Sequence, residues 1–196
     1  MKALTLWIAF SISLFSSLSV MAEDAEGKFA IKGVGNQSCP VFVRELEEGT
    51  HNRYLFAGWL NGYITASNQH LEQTFDLSSW ENINTLSNYI VQYCKNNPKH
   101  SFYVASAQVL GALYEYRMQG FSRLLTLQNE TERSFVYETV LVDVQKELKK
   151  TGIYTGEVSG KFDKPTVQAI KKFQEDNKLN VNGMPDQYTL HALLRQ

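Results

Sequence analysis

The chain has 196 residues, 43% of them hydrophobic, with 19 basic and 20 acidic side chains and a formal net charge of −1. Residues 23–136 carry nine basic and twelve acidic side chains and residues 137–196 carry nine and eight, so neither part has the basic excess of a nucleic-acid-binding protein. The length suits one mid-sized domain or two small ones.

The first 22 residues have the pattern of a secretory signal peptide. Lys2 is the only charged side chain in them, an apolar run diluted by serines covers residues 4–18, and Val20 and Ala22 stand at positions −3 and −1 of a cleavage site. No later stretch is apolar enough to span a bilayer. We therefore predict a secreted chain, without a membrane partner after cleavage, that begins near Glu23.

Residues 23–120 are predicted to form a helical domain. Its four helices are expected to begin at Pro40, at about Asn52, after a cap at Ser78, Ser79 or Asn82, and at Ser101. The second helix has a wide apolar face, and Gly58 and Gly62 lie four residues apart on it. Because each glycine costs roughly 1 kcal/mol of helix propensity, we expect another helix to pack closely there.

Cys39 and Cys94 are the only cysteines. In a secreted chain they most simply form one disulfide, which would close a loop of about 56 residues and stabilise the fold by about 4 kcal/mol. A metal site or a reactive thiol is the alternative. It is disfavoured because the sequence has no CxxC motif and its four histidines show no ligand spacing.

Residues 121–134 are predicted to link two domains. The segment 128–134 is polar and breaks the helical periodicity. The preceding residues are too apolar to stay in solvent, so we expect a short helix docked on one of the domains. These residues are Phe121, Leu124, Leu125 and Leu127.

One pattern occurs twice in the last 60 residues. The sequence V-x-G-x-x-D-x-x-T-(V/L)-x-A-(I/L) begins at Val158 and again 23 residues later at Val181. The glycine allows a positive φ at a turn, the aspartate is a helix N-cap, and the threonine lies in the first helical turn. An earlier apolar stripe ends at Gly152. Residues 135–196 are thus predicted to be three short helices, and the whole chain all-α with two small helical domains.

Residues 135–196 resemble the peptidoglycan-binding-like domain, a three-helix module of bacterial cell-wall proteins, but depart from its pattern at Ser159 and Asp163. The residues that carry the resemblance are Val144, Gln145, Leu148, Gly152, Ile153, Tyr154, Thr155, Gly156, Gly160, Lys161, Phe162, Thr166, Ala169, Ile170, Phe173, Gln174, Leu179, Gly183, Thr189 and Leu193. The resemblance implies that peptidoglycan, through its stem peptide or its glycan, is the ligand.

The ligand is predicted to lie between the turn 154–156 and the following helix start, because a helix N-terminus favours carboxylates. Tyr154 would stack on a stem peptide, and Lys161 and Gln174 would bond to its polar groups, although Tyr154 is as readily explained as a core residue. The complete predicted site is Tyr154, Gly156, Lys161, Asp163, Thr166 and Gln174.

The N-terminal part carries a second resemblance. The string Tyr54-Leu55-x-x-Gly58-Trp59-x-x-Gly62-Tyr63-Ile64-Thr65-Ala66-x-Asn68, followed by Cys94, is similar to small secreted helical proteins of proteobacteria. These include acid-stress periplasmic chaperones and immunity proteins that block cell-wall amidases. The resemblance implies a periplasmic location and a protein partner.

No catalytic motif is present. The sequence has no HExxH, GxSxG or Walker pattern, no zinc pattern of cell-wall peptidases and no transpeptidase Cys-His pair, and we predict neither a metal nor a cofactor. Glu45, Glu47 and Glu48 are best explained as a solvated helix face. We therefore expect a non-catalytic peptidoglycan-binding protein that presents its helical domain to a cell-wall enzyme or another periplasmic protein. The alternative is a stress chaperone, or an inhibitor or regulator of a cell-wall hydrolase, localised by the C-terminal domain.

Overall fold

The computed structural model describes residues 24, 26–129 and 132–195; the predicted signal peptide lies outside them. The part of the chain that the structure describes divides into two compact units, one within residues 24–31 and the other within residues 32–195. In the described part of the first unit, Asp24 Oδ1 accepts hydrogen bonds from the backbone N–H groups of Glu26, at 3.0 Å, and Lys28, at 2.7 Å. None of the helices within the described ranges has the length and apolarity needed to cross a membrane.

The second unit is mainly helical, which confirms the predicted all-α class with two helical regions. Its described residues form seven α-helices and one β-hairpin. In chain order the elements are α1 (Cys39–Glu47), α2 (Arg53–His70), α3 (Ile83–Asn96), α4 (Phe102–Leu113), β1 (Leu124–Gln128), β2 (Arg133–Tyr137), α5 (Glu138–Lys150), α6 (Lys164–Asp176) and α7 (Gln187–Leu194).

Helices α1 to α4 enclose an aromatic core. The ring centroid of Phe42 lies 5.2 Å from that of Phe56 and 4.5 Å from that of Phe102. Pro40 lies in the first turn of α1, and of the three predicted caps of α3, Asn82 is the one that accepts hydrogen bonds from the first turn. A shared aromatic cluster, together with side-chain caps on α3 and α4, thus defines the four-helix part.

The predicted disulfide between Cys39 and Cys94 is present. It joins the first residue of α1 to the last turn of α3, with 5.1 Å between the two Cα atoms. Both cysteines are fully buried against the aromatic core. The bond therefore fixes the N-terminal end of one helix to the C-terminal end of another within the core.

The exposed face of α2 differs from the prediction. A Cβ atom added at Gly58 or Gly62 would have no described neighbour within 4 Å, so the expected close packing of a helix there is wrong. Only the stripe Phe56, Leu60 and Ile64 is buried. The neighbouring apolar stripe is only partly covered, because Trp59 and Tyr63 pack against the core whereas Leu55 is exposed.

Residues 121–134 contain no helix among those described, so the predicted docked helix is wrong. Strands β1 and β2 pair antiparallel, and at the turn the Asn129 N–H donates to the Glu132 carbonyl oxygen at 3.1 Å. Burial alternates along each strand, with Leu127 on the core side of β1 and Val136 on the core side of β2. The antiparallel pairing lets the two strands satisfy each other's backbone groups along their shared edge.

The hairpin and helices α5 to α7 share a second core. It also includes Trp80 and Met118 from the part of the chain that precedes the hairpin. The Phe75 and Asp76 N–H groups donate to the Met118 carbonyl oxygen, at 2.7 and 3.1 Å, which fixes this segment. Residues that precede the hairpin thus form part of the core of the C-terminal helices.

Polar contacts connect α7 directly to the start of α3. The Gln187 side chain accepts a hydrogen bond from the Asn82 N–H at 2.9 Å and donates one to the Trp80 carbonyl oxygen at 2.7 Å. Glu81 and Arg195 form a buried ion pair, with 3.1 Å between Arg195 Nε and Glu81 Oε1. We call this set of contacts the α3–α7 junction.

Candidate functional site

A buried glutamine organises the loop between α5 and α6. Gln145 on α5 accepts hydrogen bonds from the backbone N–H groups of Ser159 and Gly160, both at 2.8 Å. Its amide nitrogen donates to the Lys161 carbonyl oxygen at 3.0 Å and to the Thr166 hydroxyl at 2.9 Å. Its full hydrogen-bonding capacity is therefore used to hold the loop.

The same arrangement recurs one helix later. Gln174 on α6 accepts hydrogen bonds from the Asn182 and Gly183 N–H groups at 3.1 and 2.8 Å. Its amide nitrogen donates to the Met184 carbonyl oxygen and to the Thr189 hydroxyl, both at 2.9 Å. The repeated sequence pattern therefore encodes two glutamine clamps, each holding the loop that leads into the next helix.

The repeated aspartates cap the helices that follow. Asp163 Oδ1 accepts hydrogen bonds from the Thr166 N–H at 3.1 Å and the Thr166 hydroxyl at 2.7 Å, and Asp186 Oδ1 accepts one from the Thr189 N–H at 2.8 Å. The bonds from Thr166 hold the pKa of Asp163 below its usual range. The Asp163 carboxylate therefore completes the first turn of α6 as an anion.

Tyr154 belongs to the core of the turn rather than to its surface. Only 3% of its area is exposed, and its hydroxyl donates to the Glu157 carbonyl oxygen at 2.7 Å. A Cβ atom at Gly156 would lie 2.5 Å from the Tyr154 hydroxyl oxygen, so only glycine fits beside the ring. The predicted stacking of Tyr154 on a ligand does not match this placement.

The six predicted site residues comprise a buried group, an exposed group and the half-buried Gly156. Tyr154, Thr166 and Gln174 are buried and fully engaged in holding loops, and Gln174 belongs to the second clamp rather than to the turn at residue 154. Lys161 and Asp163 are exposed beside the start of α6. Contact between a ligand and the exposed group remains a prediction.

Two further lysines adjoin this group. Lys149 on α5 donates from Nζ to the Gly156 carbonyl oxygen at 3.2 Å, and Lys164 is exposed at the first position of α6. We define the α6 start surface as Lys149, Gly156, Lys161, Asp163 and Lys164. Sequence reasoning had not assigned Lys149 to it, because only the fold shows that the last turn of α5 reaches the loop.

The predicted solvated acidic face of α1 is wrong for one member. Glu45 is only 8% exposed, and its carboxylate accepts hydrogen bonds from Arg44 at 2.8 Å, from the Thr50 hydroxyl and from Asn52 at 3.1 Å. These bonds, that from Arg44 first, lower the pKa of Glu45 to about 2. Glu45 thus ties the end of α1 to the loop before α2.

These features define a helical protein with a disulfide-tied N-terminal part and a C-terminal three-helix part built on repeated loop clamps. The family model "Putative peptidoglycan binding domain" matches residues 140–193. The HdeA/HdeB family model matches residues 4–104, which is half of the chain, and the chain therefore belongs to the HdeA/HdeB family. Both resemblances seen in the sequence are confirmed. No curated protein and no solved structure matches the chain.

Proposed function

We propose that the chain is a non-catalytic periplasmic protein that binds peptidoglycan through its C-terminal domain and presents its N-terminal helical domain to another periplasmic protein. The observation that carries the proposal is the match of residues 140–193 to a peptidoglycan binding domain. Membership of the HdeA/HdeB family supports the periplasmic location and a role in protein interactions.

The α6 start surface is the proposed contact for the stem peptide. Lys149, Lys161 and Lys164 outnumber the Asp163 carboxylate that caps α6, so this surface has a net positive charge at the N-terminal end of the helix. Stem peptides carry carboxylates, which pair with lysine side chains and with the N–H groups at a helix N-terminus. Tyr154 and Thr166 would support binding indirectly, by fixing the loop that carries Lys161.

Co-sedimentation with purified peptidoglycan sacculi tests this proposal. The secreted chain should pellet with sacculi, and the Lys161→Ala, Lys164→Ala double variant should pellet less, because it lacks two of the three cations. Lys99→Ala, which removes an exposed lysine from the N-terminal part, serves as the matched control. A chain that stays in solution with and without sacculi would contradict peptidoglycan binding, and equal pelleting of all variants would exclude this surface.

A second candidate function is that of a stress chaperone. It is favoured by the HdeA/HdeB match and by large apolar side chains that are more than half exposed, among them Leu55, Phe121 and Phe135. Suppression of light scattering by an acid-unfolded client protein would identify this activity. Inhibition of a cell-wall hydrolase, or its co-purification with the chain, would instead identify a regulator.

A further inference from the structure

A cleft lies between α3 and α7, away from the α6 start surface. Its volume is about 310 Å³, at the lower end of the range of roughly 300–1,000 Å³ typical of small-molecule sites. Asn84 and Asn88 line it from successive turns of α3, and Tyr188 and His191 line it from α7. Each helix thus contributes a pair of residues from one face.

The surface that lines this cleft is mainly apolar and carries uncharged polar groups. No Asp, Glu, Lys or Arg side chain of the described residues lines it. The exposed amides of Asn84 and Asn88 each offer donors and an acceptor. Tyr188 is 79% exposed, so its ring is available as a flat apolar surface beside these amides.

The base of the cleft is held in place by the α3–α7 junction. Gln187 Oε1 accepts a hydrogen bond from the Thr85 hydroxyl at 2.7 Å, in addition to its bond with the Asn82 N–H. The Tyr89 hydroxyl lies 2.8 Å from His191 Nδ1, in a hydrogen bond that links the two helices. The amides and the Tyr188 ring are therefore carried by two helices whose separation is fixed before any ligand arrives.

We propose that this cleft binds a neutral, amide-bearing glycan, namely the N-acetylated sugar strand of peptidoglycan. The Tyr188 ring would stack on the apolar face of a sugar, while Asn84 and Asn88 bond to hydroxyl and acetamido groups, which donate and accept as amides do. A carboxylate-rich stem peptide fits less well, because no lysine or arginine lines this cleft. The inference rests on the proposed peptidoglycan-binding function and assigns the glycan to a different surface from the stem peptide.

The cleft is lined by residues from both parts of the chain. Asn84 and Asn88 belong to the region matched by the HdeA/HdeB family, whereas Tyr188 and His191 belong to the region matched by the peptidoglycan binding domain. Glycan binding would therefore be a property of the intact unit formed by residues 32–196. It would not be expected of either part alone.

The test uses a soluble β-1,4-linked oligomer of N-acetylglucosamine and the whole secreted chain. Tyr188→Ala should weaken binding of the oligomer at least about fivefold, and Tyr188→Phe should bind like the unmodified chain because it keeps the ring. Phe121→Ala removes a ring of equal exposure, 80%, away from the cleft and should change nothing. Asn88→Leu should weaken binding without unfolding the chain, since Asn88 is exposed.

Equal oligomer affinity for the unmodified chain and Tyr188→Ala would overturn the glycan site. So would a chain that pellets with sacculi but does not bind the oligomer, and in that case the peptidoglycan proposal would stand. A chain that binds the oligomer but does not pellet with sacculi would contradict the peptidoglycan proposal instead. The two proposals therefore fail in different ways.

Discussion

Gln145 and Gln174 explain why the C-terminal sequence pattern occurs twice. Each accepts from the N–H group of the patterned glycine and donates to the hydroxyl of the patterned threonine. The glycine and the threonine of the pattern are therefore explained by the hydrogen bonds that hold each folded loop. The same bonds explain why Thr166, chosen from the sequence as a ligand contact, is buried.

Gln174→Leu should destabilise the chain by about 3 kcal/mol or more. The leucine would leave the buried Gly183 N–H and Thr189 hydroxyl without the hydrogen bonds that Gln174 makes to them, and each such loss costs about 1–3 kcal/mol. Urea unfolding followed by circular dichroism measures the effect. Gln168→Leu, at an exposed position of the same helix, is the control, and an equal effect of both would refute the clamp.

The Glu45 carboxylate should make stability depend on pH. Its pKa in the folded chain is lowered to about 2 from 4.5, so its stabilising effect is complete above pH 4.5 and is lost as pH falls towards 2. Glu45→Gln should therefore lose less stability than the unmodified chain between about pH 5 and pH 2. Urea midpoints at both pH values measure the loss of stability. Glu48→Gln, the control, should lose as much as the unmodified chain. An equal loss for Glu45→Gln and the unmodified chain would contradict the role of Glu45.

At the scale of elements, the glycines of α2 lead to a prediction opposite to that from sequence. Because Gly58 and Gly62 face open space in a regular helix, alanine at each should raise stability by about 0.5–1 kcal/mol. Gly183→Ala should lower it, since that residue has a φ of +73° and an added Cβ would lie 2.8 Å from Val167. Thermal unfolding compares the three variants, and a loss of stability on substitution of Gly58 or Gly62 would contradict their open placement.

The helices could be predicted from sequence because local chemistry sets their ends. Asn82, Asp163 and Asp186 cap their helices where short polar side chains precede an apolar stripe. The hairpin could not, because the short apolar run from Leu124 to Leu127 fits either a helix or a strand until its partner β2 is placed beside it. The candidate site was predicted only in part, since burial of Tyr154 depends on how its own turn closes.

At the scale of the whole molecule, residues 32–196 act as one unit because each part completes the other. Trp80 packs in the C-terminal core, and the Glu81 carboxylate is paired with Arg195 next to it. The guanidinium also lies over the rings of Trp80 and Tyr116, at 5.1 and 4.2 Å from their centroids. None of the Arg195 contacts follows from spacing along the chain, because Glu81 and Trp80 precede Arg195 by more than a hundred residues and Tyr116 belongs to the segment before the hairpin.

Arg195→Met should destabilise the whole unit by about 3 kcal/mol, because it leaves the buried Glu81 carboxylate without a counter-charge. The double variant Glu81→Gln, Arg195→Met should recover part of that loss, since no uncompensated charge remains. Urea unfolding followed by tryptophan fluorescence measures both, with Trp80 reporting on the junction directly. Equal loss in the single and double variants would show that the charge pair does not couple the two parts.

The most direct test of the account is a binding isotherm of the intact secreted chain on purified sacculi. We predict saturable binding that soluble peptidoglycan fragments reverse, with a weaker isotherm for the Lys161→Ala, Lys164→Ala variant. Absence of binding, or binding that neither saturates nor is reversed by the fragments, would contradict the role as a peptidoglycan-binding protein.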